Sequence, residues 1–532
     1  MNADYVIVGA GSAGCVLAGR LSEDPGIRVA VVEAGADDMR PELRVPALFP
    51  LLFRSGVDWD LLTEPEPGLR GRRLYVPRGR VVGGSSAINA MIYIRGNPLD
   101  FDEWADMGCT GWSFREVLPY FKRSEDNERG ADDYHGVGGP LPVSDGRSNH
   151  PLVDAMLEAA VQAGHELNAD MNGERQDGVG RFQVTQRDGY RCSAADAFLR
   201  PAATRPNLDV VPCALVERIL FEGNRAVGVQ LVRNGSTEII RAEREVILCA
   251  GTFGSSVLLM LSGIGPADQL TSLGIELLED LPVGQGLQNH SLVLLNFLTT
   301  ENALFGINTP RNRDRLEREG RGPLTSNIVE AGGFLRTAAH LPAPDVEFHF
   351  SPALFMDEGL TPPHDFGYSF GPVVLRPTGR GSVTLRTALP DSKPEVRFNF
   401  FRTDEDRGAM LAGVRLALEI AKQPALRAVE RAPATAPSGD SDDELSRFVE
   451  DVAQTVYHPT STCAMGAVVD PELRVYGVEG LRVADASIMP AVVRGNTNAA
   501  TIMIGEKAAD LILGKKPLEP AVLATPAVAP LD

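Results

Sequence analysis

The sequence has no C-x-x-C pair, no apolar run long enough to cross a bilayer, no excess of positive charge and no internal repeat at a fixed period. Each absence removes a class of protein. The cysteines Cys15, Cys109, Cys192, Cys213, Cys249 and Cys463 are scattered singly, which fits reduced thiols rather than a disulfide framework or a structural zinc site; no metal is expected. The richest apolar run, SSVLLMLSGIG at 255–265, is too short and too interrupted by glycine and serine to span a membrane. A formal net charge of −20 repels nucleic acid and anionic lipid at long range, so small molecules or proteins remain as partners. The chain opens on MNADYVIVGAG with no basic leader segment, and a cytoplasmic location is expected.

What remains is an ordinary globular composition, 43% hydrophobic and 23% charged, over 532 residues, enough for two domains and a buried cofactor. The most legible unit is DYVIVGAGSAGCVLAGRLSEDPGIRVAVVEAG at 4–35. Tyr5–Val8 reads as a buried strand, Gly9, Gly11 and Gly14 as the following turn, Ser12 to Leu21 as a packed helix and Val29–Val32 as a second strand ending in Glu33. Gly9 permits the tight turn, Gly11 lets backbone approach a pyrophosphate and Gly14 lets helix and strand pack closely. The N–H groups at Ser12 and Ala13 face the anion, and Glu33 is placed to accept from ribose hydroxyls. The unit predicts a dinucleotide site without choosing between FAD and NAD.

REVILCAGTFGSS at 244–256 repeats the grammar of strand, Gly-rich turn and helix. GVEGLRVADASIMP at 477–490 gives a strand ending at Asp485, and 497–513 reads as a helix. The nucleotide-binding sheet is therefore assembled from distant stretches. Between them, DVEFHF, GSVTLRT and EVRFNF alternate apolar and polar positions, predicting an antiparallel sheet with one covered face. The fold class expected is α/β: a discontinuous Rossmann-like unit (1–150, 200–290 and 450–515) plus an α+β substrate-binding domain on an antiparallel sheet (151–199 and 291–449). A Pro- and Ala-rich tail at 516–532 is expected to be poorly ordered or draped over a surface.

TVYHPTSTCAMG at 455–466 gathers a histidine, hydroxyls and a cysteine. His458 reads from the residues alone as a metal ligand, the partner of a nucleophilic Cys463, a proton-transfer base or a packed imidazole. The spacing favours the last two, since Cys463 is the only soft group nearby and nothing resembles an acyl-transfer constellation.

Taken together, the N-terminal fingerprint, RGRVVGGSSAINAMIYIRG at 78–96, GTFGSSVLLMLSGIG at 251–265, HPTSTCAMG and ADASIMPAVVRGNTNAATIMIGEKAAD resemble the glucose–methanol–choline (GMC) oxidoreductases. The resemblance covers nearly the whole chain and is nearest in tone to choline dehydrogenase-like and hydroxymethylfurfural oxidase-like members. It implies FAD, with Val82, Ser86, Asn89, Ala90 and Met91 lining the cofactor, Val216 at adenine and Asp485 with Ala486 near the ribityl–phosphate region. Ile88 and Ala87 stand where some members carry a histidine that bonds FAD, so the cofactor is expected to be non-covalent. The resemblance makes His458 the base and Asn496 its hydrogen-bonding partner, with Asn498 as runner-up.

Trp59, His349, Val456 and Tyr457 are substrate-pocket candidates; His290, in a position usually preceded by aspartate, reads as structural. Val329 leaves an aromatic cage incomplete, favouring an uncharged primary alcohol, aromatic or aliphatic, over choline, with O2 or another acceptor taking the electrons. A choline dehydrogenase-like enzyme or a non-redox relative of the hydroxynitrile lyase-like or decarboxylase-like kind is the alternative, and the sequence leaves the oligomeric state open.

Overall fold

The computed structural model describes residues 1–523. Its first sheet is mixed and seven-stranded. Leu208–Val211, Val29–Val32, Asn2–Val8, the end of Ser236–Leu248 and Leu481–Val483 run parallel in that order. The central parallel strands are buried on both faces and apolar, as VAVV at 29–32 and YVIV at 5–8 are, while the edge strand Leu208–Val211 exposes Asp209. The start of Ser236–Leu248 turns back antiparallel to Arg225–Arg233, which pairs in turn with Ala214–Glu222. Helix Ser12–Leu21 packs between the first strand and helix Thr497–Ile512. At Gly14 an added Cβ would lie 1.9 Å from the Gly9 carbonyl oxygen, so only glycine lets the first turn and its helix close.

The second sheet is antiparallel and eight-stranded. Its main path runs Glu430–Thr435, Leu295–Thr299, Gly367–Val374, Val346–Ser351, Ala331–Leu335 and Gly178–Arg181, with Ser291–Leu292 and Gln454–Thr455 attached at Gly367–Val374. The alternation in DVEFHF predicts one wet face, but Val346–Ser351 and Gly367–Val374 are buried at every position. Helices Asp404–Ala421 and Pro151–Gln162 cover one face, and the other closes over an internal cavity that His349 and Ser351 help to line. The polar residues of the alternation thus face a site rather than bulk water. GSVTLRT and EVRFNF belong elsewhere: Gly381–Thr384 pairs with Glu395–Arg397 and Gln285–Leu287 in a small sheet of its own.

Of the tail, the part at 516–523 lies over helix Phe114–Ser124, where the Leu518 N–H reaches the Tyr120 hydroxyl at 3.3 Å and the Ala521 N–H reaches the Arg115 carbonyl at 2.8 Å. The remainder, 524–532, lies outside the described residues.

Candidate active site

A cavity of about 500 Å³ runs between the two sheets, from Gly9, Glu33 and Val216 at one end to His349, Phe355 and Tyr457 at the other. Three helix N-termini open onto it. Those of Ser12–Leu21, Gly251–Leu261 and Thr497–Ile512 are each preceded by a residue, Gly11, Ala250 or Asn496, whose side chain makes no capping bond. At Gly251–Leu261 the first N–H groups are taken by Asp485 and Ser255, whereas the ends of Ser12–Leu21 and Thr497–Ile512 present N–H groups and the positive ends of their dipoles to the cavity, suited to a dinucleotide pyrophosphate and to negative charge developing on a reactant.

The residues fit FAD. Gly84 approaches Gly11 so closely that an added Cβ would stand 2.6 Å from the Gly11 Cα, leaving bare backbone as the cradle. The Glu33 carboxylate accepts from the Ala10 and Gly35 N–H groups at 2.9 and 2.8 Å, and burial pushes it up to about 7. Gly9, Gly11, Ser12, Ala13, Asn89, Ala90, Met91, Val216, Asp485 and Ala486 all reach the wall.

The expected contacts Val82 and Ser86 lie behind it. Val82 packs in the core beneath the first helix, and the Ser86 hydroxyl donates to the Gly83 carbonyl at 2.6 Å while accepting from the Ala194 N–H at 2.9 Å. Gly14 likewise serves packing. Asp485 is committed to the protein: one oxygen takes the Gly251 N–H and the Ser255 hydroxyl at 2.9 and 2.6 Å, the other the Ser487 N–H and hydroxyl at 2.9 and 2.6 Å. Ala87 and Ile88 offer no nucleophile for a bond to the cofactor.

At the far end His458 and Asn496 meet, 38 positions apart in the chain, with the His458 Nε2 3.2 Å from the Asn496 Nδ2. Asparagine ahead of a helix ordinarily turns its oxygen back to cap it. Here the amide reaches the imidazole instead, and its Oδ1 is buried without a hydrogen-bond partner among the described residues. Asn498 turns away, accepting from the Ser12 hydroxyl at 2.7 Å. Burial, with His290, His349 and Arg78 adding to it, holds the His458 imidazole well below its usual range, so it is neutral at pH 7. Cys463 is buried, its N–H on the Ser487 carbonyl at 2.9 Å, and burial drives its thiol upward, away from a reactive thiolate.

Trp59, His349, Val456 and Tyr457 also line this end. The Arg80 guanidinium lies over the Trp59 ring at 5.0 Å, and the Tyr457 hydroxyl donates to the Glu358 carbonyl at 2.9 Å. His349 turns its Nε2 toward the buried Glu347 carboxylate, 3.3 Å away. Leu292, Leu294, Val373, Val456 and Phe355 form an apolar cluster beside His458.

Two contributors, Arg78 and Asn289, escaped the sequence reading, and His290, which reads there as structural, joins them. Arg78, pushed down to about 10 by burial, donates to the Tyr457 carbonyl at 2.9 Å and steadies the backbone next to His458. Asn289 accepts the His458 N–H at 2.9 Å and donates to the Thr455 hydroxyl at 2.6 Å. His290 stands with its Nδ1 3.0 Å from the His458 Nδ1. The GLQNHS motif was the available signal for the last two, but nothing local tells what it touches.

A dinucleotide cradle joined through one cavity to a buried imidazole and carboxamide defines the site of a cofactor-dependent oxidoreductase. The GMC oxidoreductase family models match residues 3–292 and 377–505. The chain belongs to the GMC oxidoreductase family and is an FAD-dependent oxidoreductase. It is 46% identical to an uncharacterized GMC-type oxidoreductase of Mycobacterium tuberculosis, over 96% of this chain and 99% of the relative. It is 43% identical to the oxygen-dependent choline dehydrogenase of Brucella anthropi, over 97% of each chain. The crystal structure of pyridoxine 4-oxidase from Mesorbium loti superposes with a TM-score of 0.89 at 33% identity, covering 97% of this chain and 100% of that one. Among the described residues no helix is long and apolar enough to cross a membrane.

Proposed function

We propose that the protein oxidises an uncharged primary alcohol, aromatic or aliphatic, to the aldehyde, with His458 as base and Asn496 as its hydrogen-bonding partner. The observation that carries this reading is the His458–Asn496 pair, 3.2 Å apart, on the wall of the cavity that also holds the dinucleotide cradle. Non-covalently bound FAD supplies the hydride acceptor. The alcohol hydroxyl takes the place of the Asn496 amide at the His458 Nε2 lone pair; neutral His458 accepts the hydroxyl proton there, and the freed amide N–H donates to the oxygen as negative charge develops. The apolar cluster of Leu292, Leu294, Val456 and Phe355 keeps water from that oxygen and seats the carbon chain. The N-terminus of Thr497–Ile512, directly after Asn496, favours the same negative charge. The electrons pass on to O2 or to another acceptor.

The choice of an uncharged substrate rests on the wall. Its buried carboxylates are engaged: Glu33 by backbone, Asp485 by four donors, and Asp58 by the Tyr75 hydroxyl and the Arg54 and Arg78 N–H groups. Asp391 sits on an exposed loop beside Lys393. A quaternary ammonium also needs aromatic faces, and Arg80 already covers one face of Trp59. The Brucella choline dehydrogenase, 43% identical, favours choline as a second reading.

Anaerobic titration with benzyl alcohol, hydroxymethylfurfural, pyridoxine and choline, followed by admission of air, tests both. Bleaching of the flavin by an uncharged alcohol ahead of choline supports the proposal. Bleaching by choline alone moves the assignment to the second reading, and bleaching by none of them removes alcohol oxidation.

A further inference from the structure

We propose that His290 is a positioning residue that holds His458 in the tautomer whose Nε2 lone pair faces the cavity; the inference rests on the reading of His458 as the base. Four groups form one chain. The His290 Nε2 stands 3.1 Å from the Leu375 carbonyl oxygen, the His290 Nδ1 3.0 Å from the His458 Nδ1, and the His458 Nε2 3.2 Å from the Asn496 Nδ2.

A carbonyl oxygen only accepts, so the His290 Nε2 carries a proton. His290 is wholly buried and burial pushes it down to about 3, so its ring is neutral and the Nδ1 is a bare acceptor. Only one proton fits between the two Nδ1 atoms, and it therefore belongs to His458. Neutral His458 is left with Nδ1–H and an unprotonated Nε2, to which the Asn496 amide donates. Every donor in the chain points the same way, from Asn496 through the two rings to Leu375, and the carbonyl sets the direction.

The backbone makes this arrangement stiff. Ser291–Leu292, directly after His290, pairs with Gln454–Thr455, three residues before His458, and with Val373, two before Leu375. The Val456 N–H donates to the His290 carbonyl at 3.2 Å, and Asn289 holds the His458 N–H. The two rings cross edge to face at 87°. The charged and titratable groups acting on the pair are His349 and Arg78, which oppose a proton on His458 without choosing between its nitrogens. Tautomer choice by the partner of the far ring nitrogen is what serves other histidine bases, usually through a carboxylate. A neutral histidine does the same without adding negative charge to a site built to stabilise it.

The test uses the FAD-loaded protein. Nitrogen-15 spectra of ring-labelled histidine at pH 7.5, with His458 assigned by loss of its signals in His458→Gln, read the tautomer directly. The expected result is a protonated Nδ1 and a bare Nε2. His290→Gln keeps a donor for Leu375 and an acceptor for His458, and should reduce its flavin with alcohol within about tenfold of the wild-type rate. His290→Leu keeps neither, and should lose on the order of 10²-fold with FAD content unchanged and acquire signals of the other tautomer. A proton on Nε2 in the wild type overturns the inference whatever the activity, as does a His290→Leu variant with the wild-type spectrum and rate. Failure of the underlying reading looks different: His458→Gln would then turn over like wild type while the wild-type spectrum stayed as expected.

Discussion

Two buried histidines make opposite use of the same interior. His135 sits between the Glu125 and Asp170 carboxylates at 3.1 and 2.9 Å, with Arg95 reaching the other Glu125 oxygen at 2.5 Å and the Gly136 and Asn127 donors filling in. Burial pulls its pKa down, but the two carboxylates outweigh burial and lift it to about 9. Among the described residues His458 has no carboxylate beside it; its neighbours are His290, Asn496 and the more distant His349 and Arg78, and burial drives its pKa down instead. The first cluster satisfies its charges and can only hold structure. The second leaves a buried amide oxygen without a partner and a neutral base at the wall of a cavity. Partner chemistry, not burial, separates a structural histidine from a working one.

The comparison breaks most visibly in stability. His135→Leu strips Asp170 of its cation and leaves Glu125 with Arg95 alone, and should cost about 3–5 kcal/mol in urea unfolding, with turnover per bound flavin unchanged. Asn496→Leu should do the reverse. Flavin reduction by alcohol should slow on the order of 10²–10³-fold in stopped flow. Stability should stay near wild type, because the side chain caps nothing; loss of a true asparagine cap would cost about 1 kcal/mol.

The two clusters also differ in sign with pH. The folded-state pKa of His135 is raised, so its contribution is full below about 6.5 and is lost as pH rises through about 9. Wild-type Tm should fall over that interval, and His135→Gln should flatten the fall. His458 is lowered and neutral when folded, so it destabilises the fold only as pH drops below about 6.5. The smallest effect lies beside it: Ser461 holds a left-handed φ of 77°, which glycine adopts without strain, and Ser461→Gly should raise stability by about 1 kcal/mol in thermal melts.

The nucleotide unit was legible because its information is local: strand, glycine turn, helix and acidic residue follow within about thirty positions. Where the reading slipped, it slipped by geometry. In the 3₁₀ turn Gly84–Ala87 successive side chains rotate by about 120°, so Ser85 and Ile88, three positions apart, reach the cavity while Ser86 faces the core. Alternation along Val346–Ser351 correctly separated two faces but does not say that both are covered. The pairing of Asn496 with His458 came from the family resemblance, since nothing between them signals contact. His290, Asn289 and Arg78 act on His458 across 168, 169 and about 380 positions, the first two beside a strand pairing and the third through a side-chain hydrogen bond, and no local pattern announces either.

The central claim is that His458 removes the hydroxyl proton beside bound FAD. Its most direct test is anaerobic stopped-flow reduction of His458→Ala against wild type with the best alcohol of the panel, at equal flavin content. The account predicts full FAD loading and a reduction rate lowered on the order of 10²–10⁴-fold. A variant that bleaches at the wild-type rate would contradict it.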